Sequence, residues 1–366
     1  MLFRYSSNKN GQFIKKAVVY TKEEHKIPFE KVDSDALRIV TRLKNCGFEA
    51  YIVGGAVRDL IIGKTPKDFD IATDATPSKL KKIFKNSRII GRRFRIVHVF
   101  FGTKVFEVTT FRSIVNGSIG NEFGTMDEDV LRRDFTVNAL YYDPLKEQVI
   151  DYVGGLNDIN KKILKAVIPL DKIFEEDPVR MLRAAKYSVT IDCKVPVNLK
   201  RLIKKKAHLL SNISPSRLTD EMIKITNSGH AREIVCVCLE NGIYSYLQPA
   251  ATSLLNEDKT FESKYMESLK NLDELVQSGK DLRLGQKLTF LIFDFINSVA
   301  DWKAEFSSND SPYALFIRIW TEVRNFVLPM NPERRELEFA IRNSLRKIGV
   351  SARIPKNAFA RNSKKH

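Results

Sequence analysis

The sequence predicts an α+β protein: a small mixed sheet with helices comes first, and an all-helical remainder follows. Up to about residue 145, apolar β-rich runs (AYIVGG, RIVHVFFG, VFEVTTF, ALYYD) are separated by helical patterns such as SKLKKIFKNS. From about residue 172 strand signals fade, and helical periodicity dominates in DPVRMLRAAKYSV, PSRLTDEMIKITNSG and ESKYMESLKNLDELVQSG. A length of 366 residues exceeds one ordinary core and implies two or three domains.

Each element has a local reason. AYIVGG reads as a strand closed by a glycine turn, because Gly54 and Gly55 precede the helical AVRDLIIG. A further turn at Gly63 leads to KDFDIATDATP, where alternation marks a second strand. Thr76 and Pro77 then suit the cap and first turn of a helix. In the second half, Asp177 before Pro178 and Ser214 before Pro215 repeat that start signal. Residues 331 to 366 hold ten Lys or Arg against three acids, and read as a helix followed by a basic tail. No fixed-period repeat occurs.

Composition narrows the class. There are 61 Lys and Arg against 44 Asp and Glu, a formal charge of +17, which favours a polyanionic partner such as nucleic acid. The start, MLFRYSSNKNGQFIKK, lacks the apolar core of a secretory signal, and LTFLIFDFI is interrupted by Asp294, so a cytoplasmic protein without a membrane span is expected. Cys46, Cys193, Cys236 and Cys238 have no zinc-ligand spacing and read as reduced, mostly buried thiols.

The chemistry centres on Asp68 and Asp70. Residues i and i+2 of a strand share a face, so both carboxylates project together, and like charges that close need compensation. A hard divalent ion supplies it, since Mg²⁺ is held by one or two carboxylates plus substrate phosphates. Glu107, placed inward on its β-run between Phe106 and Val108, is a third acid; with it, three carboxylates could hold two metals for phosphoryl transfer. Gly54 and Gly55 allow a tight turn whose amides could receive phosphate, with Arg58 on the following helix.

GGAVRDLIIGKTPKDFD, with Glu107 downstream, resembles the nucleotidyltransferase superfamily of polymerase-β type. LRRDFTVNAL (131 to 140), DYVGG (151 to 155) and EEDPVRMLRA (175 to 184) narrow the resemblance to the class II group of RNA 3′-end enzymes, the bacterial poly(A) polymerases and the CCA-adding tRNA nucleotidyltransferases. TKEEHKIP, PKDFDIATDATP and IIGRRFRIVHVFFG look most like the poly(A) polymerase branch. The resemblance runs from about residue 18 to about 250 and implies a polymerase-β-like nucleotidyltransferase head followed by an all-α neck, body and tail. The implied divisions are an N-terminal extension (1–30), a catalytic head (31–145), a neck that recognises the base (146–230) and an RNA-binding body with a basic tail (231–366). It makes Asp68 and Asp70 metal ligands for Mg²⁺ in a two-metal site, with Glu107 as the third catalytic carboxylate. It places Gly54, Gly55, Arg58, Arg132, Arg133, Asp134, Asn138 and Arg183 at the incoming nucleotide, and Asp177 and Arg180 toward its base. Arg92, Arg93 and Arg95 are the candidates for contact with RNA or triphosphate.

An aspartate accepts from an exocyclic amino group and an arginine donates to ring acceptors, so Asp177 and Arg180 could read ATP, or ATP and CTP, without a nucleic-acid template. The implied activity is addition of AMP from ATP to RNA 3′ ends with release of pyrophosphate. CCA addition to tRNA from CTP and ATP is the alternative: the chain lacks the long basic C-terminal extension expected of larger poly(A) polymerases, and its segment from Ser113 to Asp129 is short beside theirs. Expected partners are RNA 3′ ends, whether mRNA, tRNA or other RNA.

Simpler readings stand beside these. Arg132 and Arg133 could be an exposed basic pair, Asp177 and Arg180 an i, i+3 surface ion pair, and Asp134 and Asn138 turn residues. His98 reads as structural, Asp74 as a turn residue, and the lysines at 81, 82, 85 and 204 to 206 as solvated faces or phosphate contacts. A non-catalytic RNA-binding protein is opposed by the intact acids, and transfer to a small molecule by the RRDFTVNA and EDPVR motifs.

Overall fold

The structure is a computed structural model; it describes residues 2–7, 13–91, 95–113, 122–308 and 312–350. The chain divides into two compact units. One takes the chain to Glu176 together with Cys193–Pro196, and the other comprises Asp177–Asp192 and the chain from Val197 onward.

The first unit is built on a nine-stranded mixed sheet with strands β1 (Leu2–Ser7), β2 (Phe13–Tyr20), β3 (Ala50–Val53), β4 (Asp70–Thr73), β5 (Ser87–Ile90), β6 (Ile96–Phe101), β7 (Lys104–Thr110), β8 (Leu140–Asp143) and β9 (Gln148–Asp151). Their order is β1-β2-β9-β8-β3-β4-β7-β6-β5, and only the β4–β7 pairing is parallel. Parallel neighbours need a long crossover, here supplied by the segment that holds a helix and the β5–β6 strands. The helices are α1 (Lys22–His25), α2 (Ser34–Asn45), α3 (Gly55–Ile61), α4 (Pro77–Ile83), α5 (Met126–Leu131), α6 (Gly155–Asn160) and α7 (Ile173–Glu176). Asp33 caps α2 by accepting from the amides of Asp35 and Ala36. On one face of the sheet Tyr51, Val53, Ala72, Phe111, Val130 and Tyr141 form a buried cluster.

The four β-runs named from the sequence form β3, β6, β7 and β8. The helical reading of SKLKKIFKNS runs too far: α4 ends at Ile83, and Ser87 already opens β5. Asp74 accepts from the amide of Glu49 at 2.8 Å, as a turn residue would.

DYVGG has a structural job. The buried Asp151 carboxylate accepts from the amides of Val153, Gly154, Gly155 and Leu156 at 2.8–3.0 Å, which folds the chain from β9 into α6. Gly155 lies so close to the 3-10 turn Thr136–Asn138 that a Cβ there would sit 2.2 Å from the Thr136 carbonyl oxygen. The Thr136 hydroxyl donates to Asp158 of α6 at 2.7 Å, locking the same contact.

The second unit holds α8 (Arg180–Thr190), α9 (Val197–Lys206), α10 (Pro215–Thr226), α11 (Ala231–Glu240), α12 (Tyr244–Leu247), α13 (Pro249–Glu257), α14 (Lys259–Gln277), α15 (Leu284–Val299), α16 (Trp302–Ser308), α17 (Pro312–Phe326) and α18 (Arg334–Lys347). Among its described residues there is no strand. Ser214 is the residue before α10 and Pro215 its first position; Asp177 accepts from the Val179 amide at 3.2 Å ahead of α8. Cys193 and Cys238 are buried, Cys236 is half-buried and Cys46 exposed, all as free thiols. Among the described residues no helix is long and apolar enough to cross a membrane.

Gly155→Ala should therefore lower stability by about 3 kcal/mol, the upper range for overpacking, because backbone on both sides must move. Urea denaturation measures this, and an unchanged midpoint would remove Gly155 as the lock on the 136–138 turn.

Candidate active site

Sheet register lines up the central residues in a row. Tyr141 of β8 pairs with Val53 of β3, which pairs with Asp70 of β4. Parallel pairing of Ile71 with Val108 sets Asp70 beside Glu107 of β7, and Glu107 pairs with His98 of β6. Residues paired across neighbouring strands share a face, so these five side chains occupy one side of the sheet. Asp70 opens β4 and Asp68 lies in the segment ahead of it, so the strand expected to carry both acids holds only Asp70; both are exposed, with Phe69 buried between them.

Glu107 departs from the sequence reading. It is turned outward, with its side chain half exposed, while Phe106 and Val108 fill the opposite, buried face against Val99 and Val97. The alternation of β7 leaves no inward place for it. Its carboxylate lies 3.6 Å from Nε2 of His98. Among the described residues, no three His, Cys, Asp or Glu side chains gather closely enough to hold a metal, so the three acids are aligned without forming a cage. The pair Asp68 and Asp70 does fit a hard divalent ion, being two exposed carboxylates that leave positions open for substrate oxygens and water.

Gly54 ends β3 with φ of +70°, a left-handed conformation that glycine adopts without penalty. Its amide donates to the Leu140 carbonyl at 3.3 Å, so that N–H is already engaged within the sheet. A Cβ on Gly54 would come within 3.4 Å of the Arg133 guanidinium, which shows how closely that arginine crosses the turn.

Around the turn the polar side chains interlock. Arg58 of α3, almost fully buried, donates to Asp59 at 2.7 and 2.9 Å and to the Asn138 side-chain oxygen at 2.6 Å. Asn138 in turn faces Asp134 at 3.5 Å, and Asp134 accepts from the Phe135 amide at 2.8 Å. Arg133 donates to the Asn138 carbonyl and to the Tyr141 hydroxyl, and its guanidinium lies over the Tyr141 ring.

The sequence reading missed the residue that organises this frame. Asp129 of α5 is 2% exposed and accepts from Arg132 at 2.6 and 2.9 Å, Arg133 at 3.1 Å, the Tyr141 hydroxyl at 2.5 Å and the Arg112 amide at 3.2 Å. Burial alone would push its carboxyl up, but the Arg133 and Arg132 guanidiniums and the Tyr141 hydroxyl outweigh it and hold it down at about 2. Burial, together with Arg132 and Arg133 nearby, pulls the Arg112 guanidinium down to about 10. The available signal was spacing: Asp129 stands i, i+3 and i, i+4 to the two arginines, facing them on one helical turn.

Arg95 is exposed ahead of β6, while Arg92 and Arg93, like the tail from Ser351, lie outside the described residues. In the second unit, both oxygens of Asp177 accept from Arg217 of α10 at 3.0 Å. Arg180 is 8% exposed, and Arg183 donates to the Tyr187 hydroxyl at 3.2 Å.

Residues 50–165 match the poly A polymerase head domain, and residues 195–255 match the probable RNA and SrmB-binding site of polymerase A. The poly(A) polymerase I of Escherichia coli O157:H7 is 36% identical over 290 residues, 74% of this chain and 62% of that protein. Both segments match domains of the class II nucleotidyltransferase family. The CCA-adding enzyme of Geobacillus kaustophilus, from the same family, is 34% identical over 63% of this chain and 57% of its own length. The chain thus spans about three-fifths of the curated poly(A) polymerases it matches. Solved structures of the Bacillus stearothermophilus CCA-adding enzyme in complex with CTP (TM-score 0.52, 24% identity, 86% of this chain and 98% of that one) and the Thermotoga maritima CCA-adding enzyme complexed with tRNA (TM-score 0.58, 19% identity, 95% and 90%) share the α+β fold of this chain.

Asp129→Asn should cost about 3 kcal/mol, because it leaves two half-buried guanidiniums without their buried counter-charge. Asp129 has a folded value below the ordinary carboxylate value of about 3.9, so its contribution is present above pH ~4 and is lost as pH falls toward 2. Urea denaturation across that range should show the gap between the native protein and Asp129→Asn closing on acidification; a gap independent of pH would contradict the assignment.

Proposed function

We propose that the chain is a template-independent RNA 3′-end nucleotidyltransferase of the cytoplasm that transfers AMP from ATP to RNA 3′ ends. The observation that carries this reading is the register row, which sets Asp70 one strand away from the Gly54 turn and the Arg58–Asn138–Arg133 frame. Adjacent strands lie ~4.8 Å apart, so one bound nucleotide could touch carboxylates and guanidiniums together.

The RNA 3′-hydroxyl attacks the α-phosphate of ATP, the bond to the β-phosphate bridging oxygen breaks, and pyrophosphate leaves. Asp68 and Asp70 would hold one or two Mg²⁺ ions, with Glu107 as the neighbouring third acid; such ions, when bound, acidify the attacking hydroxyl and offset charge on the phosphate. Arg132 and Arg133, oriented by Asp129, stabilise triphosphate charge, and because two guanidiniums share one carboxylate the frame keeps a net positive charge for it. Arg58, Asn138 and Asp134 hold the Gly54–Gly55 turn at the sugar, and Gly55 permits close approach. Asp177, held in place by Arg217, accepts from the adenine amino group, while Arg180 donates to a ring nitrogen and Arg183 supports that helix. Arg92, Arg93 and Arg95 contact RNA. In domain terms, the head spans 31–145, the base-reading neck 146–230 and the RNA-binding body 231–366.

CCA addition is the second reading, supported by the 34% identical CCA-adding enzyme of Geobacillus kaustophilus. Purified protein given a tRNA ending at its discriminator base, or an unstructured RNA, with labelled ATP, CTP or both separates the two. ATP-only tails on both RNAs are expected; CTP-dependent extension confined to the tRNA would overturn the poly(A) reading.

Asp70→Asn is expected to reduce incorporation by about 10³-fold or more, the scale of losing a key charge-stabilising group, with RNA affinity nearly unchanged. Full incorporation by this variant would remove Asp70 from the catalytic set, and no incorporation by the unaltered protein would return the chain to the class of RNA-binding proteins.

A further inference from the structure

Several basic side chains of the first unit are partnered by acids: Arg132 and Arg133 with Asp129, Lys16 with Asp127, Lys104 with Asp33 and Lys22 with Glu147. The end of α18 is built differently. Lys347 Nζ sits 4.9 Å from the ring centre of Phe290 and 5.2 Å from that of Phe293, both on α15, and Arg342 stacks on Phe316. Among the described residues, neither Arg342, Arg346 nor Lys347 forms a salt bridge. The acid that feels the charges of Lys264 and Lys347 is Asp294, which is buried and accepts from Ser268 at 2.6 Å; burial pushes its carboxyl up.

A carboxylate partner cancels a cation and occupies its N–H donors, whereas an aromatic ring fixes the cation in place and leaves charge and donors free for an outside anion. Lys264, Arg346 and Lys347 are exposed, with Phe290 and Phe293 half-buried beside Lys347. The sequence continues the pattern: from Phe339 to His366 there are eight Lys or Arg and no acid. This region follows both matched family segments, which end at residues 165 and 255.

We propose that Lys264, Arg346 and Lys347, the last pre-positioned by Phe290 and Phe293, form a contact for the phosphate backbone of single-stranded RNA. The proposal rests on the reading of the chain as an RNA-acting enzyme for its choice of polyanion, and on ring-held, uncancelled charge for its location. Recognition here is of phosphate spacing and charge, so it is independent of base identity.

The test measures binding of a labelled unstructured oligoadenylate by fluorescence anisotropy over a salt series, without nucleotide. The variant Lys264→Gln/Arg346→Gln/Lys347→Gln should bind about tenfold more weakly at low salt, and its log–log salt slope should be shallower by about 2, roughly 0.7 for each phosphate no longer neutralised. Phe290→Leu/Phe293→Leu keeps every charge, so it should weaken binding less and leave the slope unchanged. Unchanged affinity and slope in the triple variant would overturn the proposal. So would a fall in melting temperature with RNA binding intact, or loss of anionic-vesicle binding alone. RNA binding with the expected slopes but no nucleotide incorporation would overturn the polymerase reading and leave this surface standing.

Discussion

One buried carboxylate holds the centre of the first unit together. Asp129 brings the guanidiniums of Arg132 and Arg133 to the same few ångströms, with Arg112 close by, an arrangement that mutual repulsion would otherwise break apart. Because its two oxygens are shared between two guanidiniums and a tyrosine hydroxyl, the acid orders the cluster without neutralising it. The local excess of positive charge beside the Gly54 turn follows directly. So does the care with which α5 is anchored: this short helix would be marginal alone, and Glu128 ties it by accepting from Thr125 and Ser113.

Sheet register is the second constraint. The parallel β4–β7 pairing sets Asp70 beside Glu107, and the antiparallel β3–β4 pairing sets Asp70 beside the end of the glycine strand. A slip of one residue in either pairing would turn an acid to the other face. The Asp151 turn and the absent side chain of Gly155 fix the Thr136–Asn138 turn, and through Asn138 the guanidinium of Arg58. DYVGG thus reaches the site through packing alone.

Much of the fold was readable because its signals are local. Alternating apolar runs announced β3, β6, β7 and β8, and the Ser214–Pro215 start announced α10. Strands β1, β2, β5 and β9 were not singled out, because short runs such as SRII carry no period long enough to separate strand from helix end. Within the candidate site, the i, i+2 spacing was read as two carboxylates on one strand, whereas β4 opens only at Asp70 and leaves Asp68 in the segment ahead of it. The direction of Glu107 was misread: flanking apolar residues suggested an inward acid, but alternation places those neighbours on the opposite face. Asp129 passed unnoticed in an acid-rich stretch, since its setting depends on Tyr141, which reaches it from β8.

Periodicity and spacing along the chain were enough to set the division into a mixed part and a helical part, the i, i+2 carboxylates, the glycine turn and the motifs that mark the family. Folding in three dimensions settled which distant residues meet: Arg58 with Asn138 across 80 positions, Asp177 with Arg217 across 40, and Lys347 with the rings of α15. It also settled which charges are cancelled and which remain available. Those outcomes depend on burial and register, and no local pattern encodes either one.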